Sequence, residues 1–465
     1  MHDTAACFRF VKSTTAACKL GSGFPSYLEP TRELLKYIKE LSLSTQDFLA
    51  NFPSQIPGEP TQFRSKRELL WLIRETWTSL HVYVKPAVDA DTLNVPTELV
   101  RLLTQRVHLI EKCESLEFAV IHTDKLNYFQ FPPGDFEQNA SNLGEIVSAQ
   151  AKFPPNLGII ALPHSQVQHL FMNGLLAHEI GHFVFSKLDC LDRIKASLSE
   201  GLRVAFAPPS DVGLDAKTRL QLPEVLQDWA EELFCDLFGV HLLGPSFVLA
   251  SIELFDLANL WAVNGGLDEK AGKSHFKFHS THPARLFRLW RQTALLETLG
   301  WWNQIYENGS HYIRIMDACR HLRQGSFVFE EIGTQMGSRV LDAFHRAIET
   351  IENEVATVTT NLRDGNGLAK EIQEFSKLKD IISRYLCHAV VPSTLCIDKE
   401  FRNPSAIVLL NAAHFFYLSG IEDLIKNSEH STIDDIRKRD IWMERVENWT
   451  TKGLEDLTMS NELGV

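Results

Sequence analysis

No two cysteines in this 465-residue chain are spaced as CxxC. The eight lie scattered at 7, 18, 113, 190, 235, 319, 387 and 396. That excludes the usual thiolate zinc site and reads as free thiols in a reducing compartment rather than a disulfide framework. A basic excess is also missing. Lys and Arg number 46 against 59 Asp and Glu, a net charge of -13, which argues against a nucleic-acid partner, because such domains carry a basic excess or stripe. No apolar run is long enough to span a bilayer. The longest, "AIVLLNAAHFFYLSG" from Ala406 to Gly420, falls short of the ~20 residues required and reads as a buried helix. The opening "MHDTAACFRFVKSTTAACKL" has no apolar h-region, so no signal peptide is expected. There is no internal repeat and no low-complexity tract. These absences together predict a cytoplasmic protein without a membrane span.

What remains is ordinary globular material, 44% hydrophobic and 23% charged, long enough for more than one domain. The pattern predicts an α+β, predominantly helical protein in three parts: a mainly helical region over 1–150, a core over 151–300 and a helical region over 301–465. Residues 27 to 116 read as helices interrupted by "IPGEPTQ". "LEFAVIHT", Leu116 to Thr123, and "LGIIALP", Leu157 to Pro163, read as strands, with "PPGDFEQNASNLG" between them as loop. Ser165 and Gln168 form a capping box before an apolar-periodic run of Val167, Leu170, Phe171, Leu175, Leu176, Ile180 and Phe183. From about 310 onward the chain reads helical again, with one loop near "VVPSTLCIDKEFRNPS".

Inside that apolar run stands "LLAHEIGHFVF". His178 and His182 are one helical turn apart, so both imidazoles share a face. The capping box places the motif well inside a helix that is buried on most sides. Ionisable groups there are costly unless something pairs with them. A divalent metal is such a partner, and HExxH on a helix is a zinc-hydrolase signature. Gly181 keeps the helix surface open beside the histidines, at some cost in helix stability.

A catalytic zinc needs a third protein ligand and an open position. "DWAEELFCDLFG", Asp228 to Gly239, lies on a helix expected from Pro223 to Leu243 and closed at Gly244. Glu232 and Asp236 share one face of it. Glu232 can bind one zinc ion while Asp236 accepts the other N–H of a ligating histidine. Asp228 shares the face as a less favoured ligand, and Glu231 points about a hundred degrees away. The bland alternative, an acidic solvated face, is weakened by Trp229, Leu233, Phe234, Leu237 and Phe238 around it.

HEIGH followed by ExxxD on a later helix resembles the gluzincin metallopeptidases. "STHPARLFRL", Ser280 to Leu289, is similar to the third motif of the M48-type peptidases, such as the CAAX-processing and heat-shock-related members. "EELFCDLFGVHLLGP" is similar to the third-ligand helix of the soluble ImmA/IrrE-type regulatory peptidases. The resemblance covers roughly residues 155 to 290. It implies a zincin-like catalytic core with a small sheet and an active-site helix, hydrolysing a protein or peptide substrate. Carried over, it implies His282 and Arg288 beside the active site, with Arg285 as a second arginine. Glu179 is then the general base. His282, with Arg288, stabilises the oxyanion. The strand Leu157 to Leu162 would take substrate by β-addition if it is an edge.

Two weighings remain. His275, His279 and His282 crowd one stretch, but it lacks a carboxylate or a helical pattern, which disfavours a second metal site. His108, His241, His311 and His414 fall on apolar-periodic helices and read as packed, satisfied residues. The rival to an enzyme is a non-catalytic helical scaffold or binding protein with a structural or vestigial zinc. A degenerate site is expected to lose Glu179 first, because the base is dispensable for binding metal.

Overall fold

The computed structural model of the chain describes residues 29–51, 68–78, 80, 96–123, 129–131, 133–150, 152–154, 156–163, 169–206, 216–257, 274–276, 280–305, 311–329, 334–364, 367–397, 399–421 and 435–463. The fold is predominantly helical with a small sheet, of the α+β class. Its contacts group into two units. One comprises residues 1–97 and 115–168, the other residues 98–114 and 169–465.

In the first unit, helix α1 (Glu29–Ala50) packs on strand β1 (Glu117–Thr123). Strand β2 (Phe129–Phe131), helix α2 (Pro133–Ile146) and strand β3 (Leu157–Pro163) follow. The sheet order is β1-β3-β2. β1 and β3 are parallel, from Glu117 opposite Leu157 to Thr123 opposite Pro163. β2 runs antiparallel to β3, with Phe131, Gln130 and Phe129 opposite Ile159, Ile160 and Ala161. Ala119 and Ile121 of β1 and Ile159 and Ala161 of β3 share one core with Leu34, Ile38, Ile73, Trp77, Ala140 and Leu143. Their alternation along each strand places them on one face of the sheet. β3 is therefore interior, bonded on both sides over Ile159–Ala161, and offers no free edge there for a substrate strand. The stretch read as loop, Pro132 to Gly144, is mostly helix α2. Pro133 suits a first helical position, and Ala140, Leu143 and Val147 recur at helical spacing and are buried. Their burial overrides a polar composition.

In the second unit, α3 (Leu176–Lys187) packs on α5 (Ala216–Leu243), and α4 (Cys190–Ala205) packs on α9 (Thr334–Val358). Between them run α6 (Pro245–Leu257), strand β4 (Ser274–His275), α7 (Arg285–Thr298), α8 (His311–Arg320) and strand β5 (Phe327–Val328). β4 and β5 pair in parallel. α10 (Gly367–Cys387), α11 (Ala406–Ser419) and α12 (Asp435–Leu463) complete the unit. The loop expected near residue 395 contains a small antiparallel pair, β6 (Leu395–Ile397) and β7 (Glu400–Arg402). α11, the longest apolar run, is buried from Ile407 to Tyr417. No described helix is long and apolar enough to cross a membrane.

Two helix starts differ from the sequence reading. α3 begins only at Leu176, after a turn of 3-10 helix over Met172–Leu175. The HEIGH motif thus occupies its first turns rather than its middle. The capping box at Ser165 and Gln168 lies outside the described residues. α5 begins at Ala216, before Pro223. A proline inside a helix forfeits one backbone bond, yet Leu222 and Leu226 are buried on either side of it, and their packing carries the helix through. Its other end falls where expected. Gly244 has φ +62, a left-handed conformation that glycine adopts without strain. Asn411 of α11 fixes this junction by donating to Leu243 O at 3.0 Å and accepting from Ser246 N at 2.7 Å.

Candidate metal centre

α3 contributes His178, Glu179 and His182, all buried. α5 contributes Glu232 and Asp236, also buried. The ligand-capable atoms of His178, His182 and Glu232 all lie within 4.8 Å of one another. It is the single such group found among the described residues. His178 Nε2 is 3.3 Å from Glu232 Oε2, and His182 Nε2 is 3.6 Å from Glu232 Oε1.

Each of the two histidines is held from behind. His178 Nδ1 donates to Asp236 Oδ1 at 3.0 Å. His182 Nδ1 donates to Glu231 Oε1 at 2.7 Å. With one hydrogen held on Nδ1, Nε2 faces the shared carboxylate and is the atom that a metal would take once its own proton leaves. Asp236 has the supporting part expected of it. Glu231 does not point idly away. A rotation of about a hundred degrees around α5 aims it at the second histidine, because α3 lies across both faces. The signal was its adjacency to Glu232, but sequence spacing alone does not say how the partner helix crosses. Asp228 is exposed and stands outside the metal group.

The motif "STHPARLFRL" arrives at the same place. Trp229 Nε1 of α5 donates to Ser280 O at 2.8 Å, tying this segment to the ligand helix. His282 Nε2 lies 3.4 Å from Glu232 Oε1, with 46% of its side chain exposed. Its Nδ1 is 2.8 Å from Thr281 Oγ1. When that hydroxyl donates, the ring hydrogen sits on Nε2 and faces the site. Arg288, one turn into α7, donates from Nε and Nη2 to both oxygens of Asp236. Its Nη1 is 3.3 Å from Glu232 Oε2. Its guanidinium is committed to these carboxylates rather than to an open position. Arg285 sits over the ring of Phe255 at 5.8 Å. His279 and the side chains of His275 and His311 lie outside the described residues.

The electrostatics follow from burial against pairing. Burial alone would lower the His178 pKa, but the Glu232 carboxylate and the bond to Asp236 push it up to about 10. Burial would raise Glu232, yet His178, Arg288 and His282 hold it well below the usual carboxylate range. Asp236 is likewise held down to about 2, chiefly by Arg288 against burial. The His282 pKa is lowered, by desolvation first and then by the cations around it, against Glu232. Burial, then Glu231, Glu232, Asp236 and Glu179, raise the Cys235 thiol well above its ordinary value. Glu179 therefore belongs to the same electrostatic neighbourhood as the ligands.

The residues fit a divalent cation. Two imidazoles, each neutral once a metal displaces its Nε2 proton, and one carboxylate form a donor set suited to zinc. Glu232 Oε2 is buried and accepts no hydrogen bond; His178 Nε2 and Arg288 Nη1 each stand 3.3 Å from it. Outside this site, His414 bonds Ser246 and Glu253 and His241 contacts Thr359. Both are satisfied core histidines.

Comparison with protein-family models, curated proteins and solved structures finds no match to this chain.

Proposed function

We propose that this chain is a zinc-dependent metallopeptidase of the gluzincin type, hydrolysing peptide bonds in a protein or peptide substrate. One observation carries the reading. Two histidines from one helix and a glutamate from the next converge within 4.8 Å, and each histidine is oriented by its own carboxylate. The M48-type and ImmA/IrrE-type resemblances support the same chemistry and differ only in substrate. Buried free thiols at Cys113, Cys190, Cys235 and Cys319 support a reducing, cytoplasmic setting.

One Zn²⁺ would be held by His178, His182 and Glu232, and when bound it polarises the scissile carbonyl and acidifies a water. The protein's own groups do the rest. Glu179 accepts the proton of the attacking water and returns it to the leaving amine. His282 donates its Nε2 hydrogen to the carbonyl oxygen as negative charge builds there. Asp236 and Glu231 keep the imidazoles in the Nδ1–H tautomer. Arg288 keeps Asp236 ionised and aimed.

The test is Glu179→Gln in the full chain. Zinc content is expected to stay at one per chain while peptide turnover falls by about 100-fold or more, the scale of a lost general base. N-terminal proteomics of cells carrying either form would identify substrates. Cleavage by the variant at the wild-type rate would remove Glu179 from its role. Zinc binding with no chelator-sensitive cleavage of any peptide library would favour a non-catalytic scaffold.

A further inference from the structure

We infer that Gly181 and Cys235 form a positioning contact that sets the separation of the two ligand helices, and hence the span of the metal centre. The inference rests on the metal-binding reading of that site and adds the device that holds its geometry.

The argument starts from spacing. His178, Gly181 and His182 stand at i, i+3 and i+4 on α3, so they share one face. Glu232, Cys235 and Asp236 stand at the same spacing on α5 and share another. Ligands on each helix therefore bracket one central residue, and the central residues meet. A Cβ on Gly181 would lie 3.0 Å from Cys235 Cα, 3.1 Å from its Cβ and 3.2 Å from its Sγ. The first of these atoms is backbone and cannot swing aside. Relief would need the helices to part by a few tenths of an ångström. α5 has little freedom to yield locally, because Leu233, Phe234, Leu237 and Phe238 are fully buried around the contact.

That distance matters at a metal. Ligand bond lengths hold within about 0.2 Å, and working constellations within about 0.5 Å. Parting the helices at Gly181 carries Glu232 away from both imidazoles at once. Helix interiors disfavour glycine, so its place between two ligands needs a packing reason. The structure gives the opposite of an open surface, since the space beside the histidines is filled by Cys235.

Zinc affinity of the full chain, measured by competition with a chromophoric chelator, tests this alongside the Co²⁺ absorption spectrum and the melting temperature of the metal-free protein. Gly181→Ala is expected to weaken affinity by about 10-fold or more, the scale of a disturbed supporting shell, and to alter the Co²⁺ spectrum. Adding Cys235→Gly removes the Cβ and Sγ approaches but leaves the backbone one at 3.0 Å, so it should recover only part of the loss. Cys235→Val crowds the same contact from the other side and should also weaken binding, whereas Cys235→Ala should not. Should Gly181→Ala fail to fold, the Val and Ala variants at 235 decide the matter by that difference. Wild-type affinity in Gly181→Ala or in Cys235→Val overturns the inference while the metal centre stands. A wild-type chain that binds no zinc removes the metal reading itself, and this inference with it.

Discussion

Arg288 grips both oxygens of Asp236, with Nε 2.6 Å from Oδ2 and Nη2 2.7 Å from Oδ1. Asp236 in turn accepts from His178. The arginine expected beside the oxyanion thus reaches His178, a proposed metal ligand, through a carboxylate. Bidentate pairing of this kind fixes orientation as well as charge.

Arg288→Met is expected to lower zinc affinity about 10- to 100-fold, as the loss of a supporting partner does. It should also destabilise the fold, because buried Asp236 would lose its bidentate partner and keep only the bond to His178. Chelator competition and denaturant unfolding measure the two effects. An unchanged affinity with intact folding would show that Asp236 holds His178 without help.

Glu231 and Glu232 are adjacent but serve different atoms. Glu232→Ala removes a ligand and should cause the larger loss of zinc. Glu231→Ala removes the acceptor behind His182 and should cost about 10- to 100-fold in affinity. Titration of both variants ranks them. A wild-type affinity for Glu231→Ala would mean that its 2.7 Å bond does not orient the ligand.

His282→Ala should lower kcat and kcat/KM together by about 10²- to 10³-fold and leave zinc bound, as loss of one oxyanion donor does. Its half-exposed side chain predicts little change in melting temperature. A destabilised variant with normal kcat would assign His282 to the turn before Pro283 instead.

Outside the candidate metal centre, Glu447 of α12 predicts a pH effect on stability. Its carboxyl is buried, Oε1 has no hydrogen-bond partner, and His169 Nδ1 lies 3.7 Å from Oε2. Burial, then Glu253 and Glu444, raise its pKa from 4.5 to about 8, against the backbone N–H groups of Phe171 and Leu170. The fold therefore favours the neutral acid. Below pH 4.5 folded and unfolded chains are both protonated, and Glu447 adds no pH dependence. Between 4.5 and about 8 the unfolded chain has ionised and the folded one has not, so its contribution falls as pH rises, by about 1.4 kcal/mol per unit. Above about 8 the full penalty remains. Glu447→Gln should raise the melting temperature at pH 9 and leave it nearly unchanged at pH 4.5. Equal shifts at both values would refute the buried, neutral carboxyl.

Much of this was legible in the chain itself. Both long strands were legible from β-branched runs ended by polar or proline residues, and α11 from an uninterrupted apolar stretch. The ligands were legible because HExxH and ExxxD place groups on one helical face at fixed spacing, which any helix enforces locally. Asp236 followed from the same periodicity. α2 was not legible, because three buried residues outweigh a composition that otherwise suits a loop. The late start of α3 was hidden as well, since apolar periodicity continues through the 3-10 turn before it.

The sequence by itself determined which residues can bind a metal and which helix faces carry them, because helical periodicity is a property of the local backbone. Only the tertiary structure decided that Glu231 stands behind His182, that Arg288 clamps Asp236, that β3 lies inside its sheet and that Gly181 meets Cys235. Each of these depends on how two elements cross or pair, and that is set by the packing of buried side chains drawn from distant parts of the chain, not by the spacing within any one element.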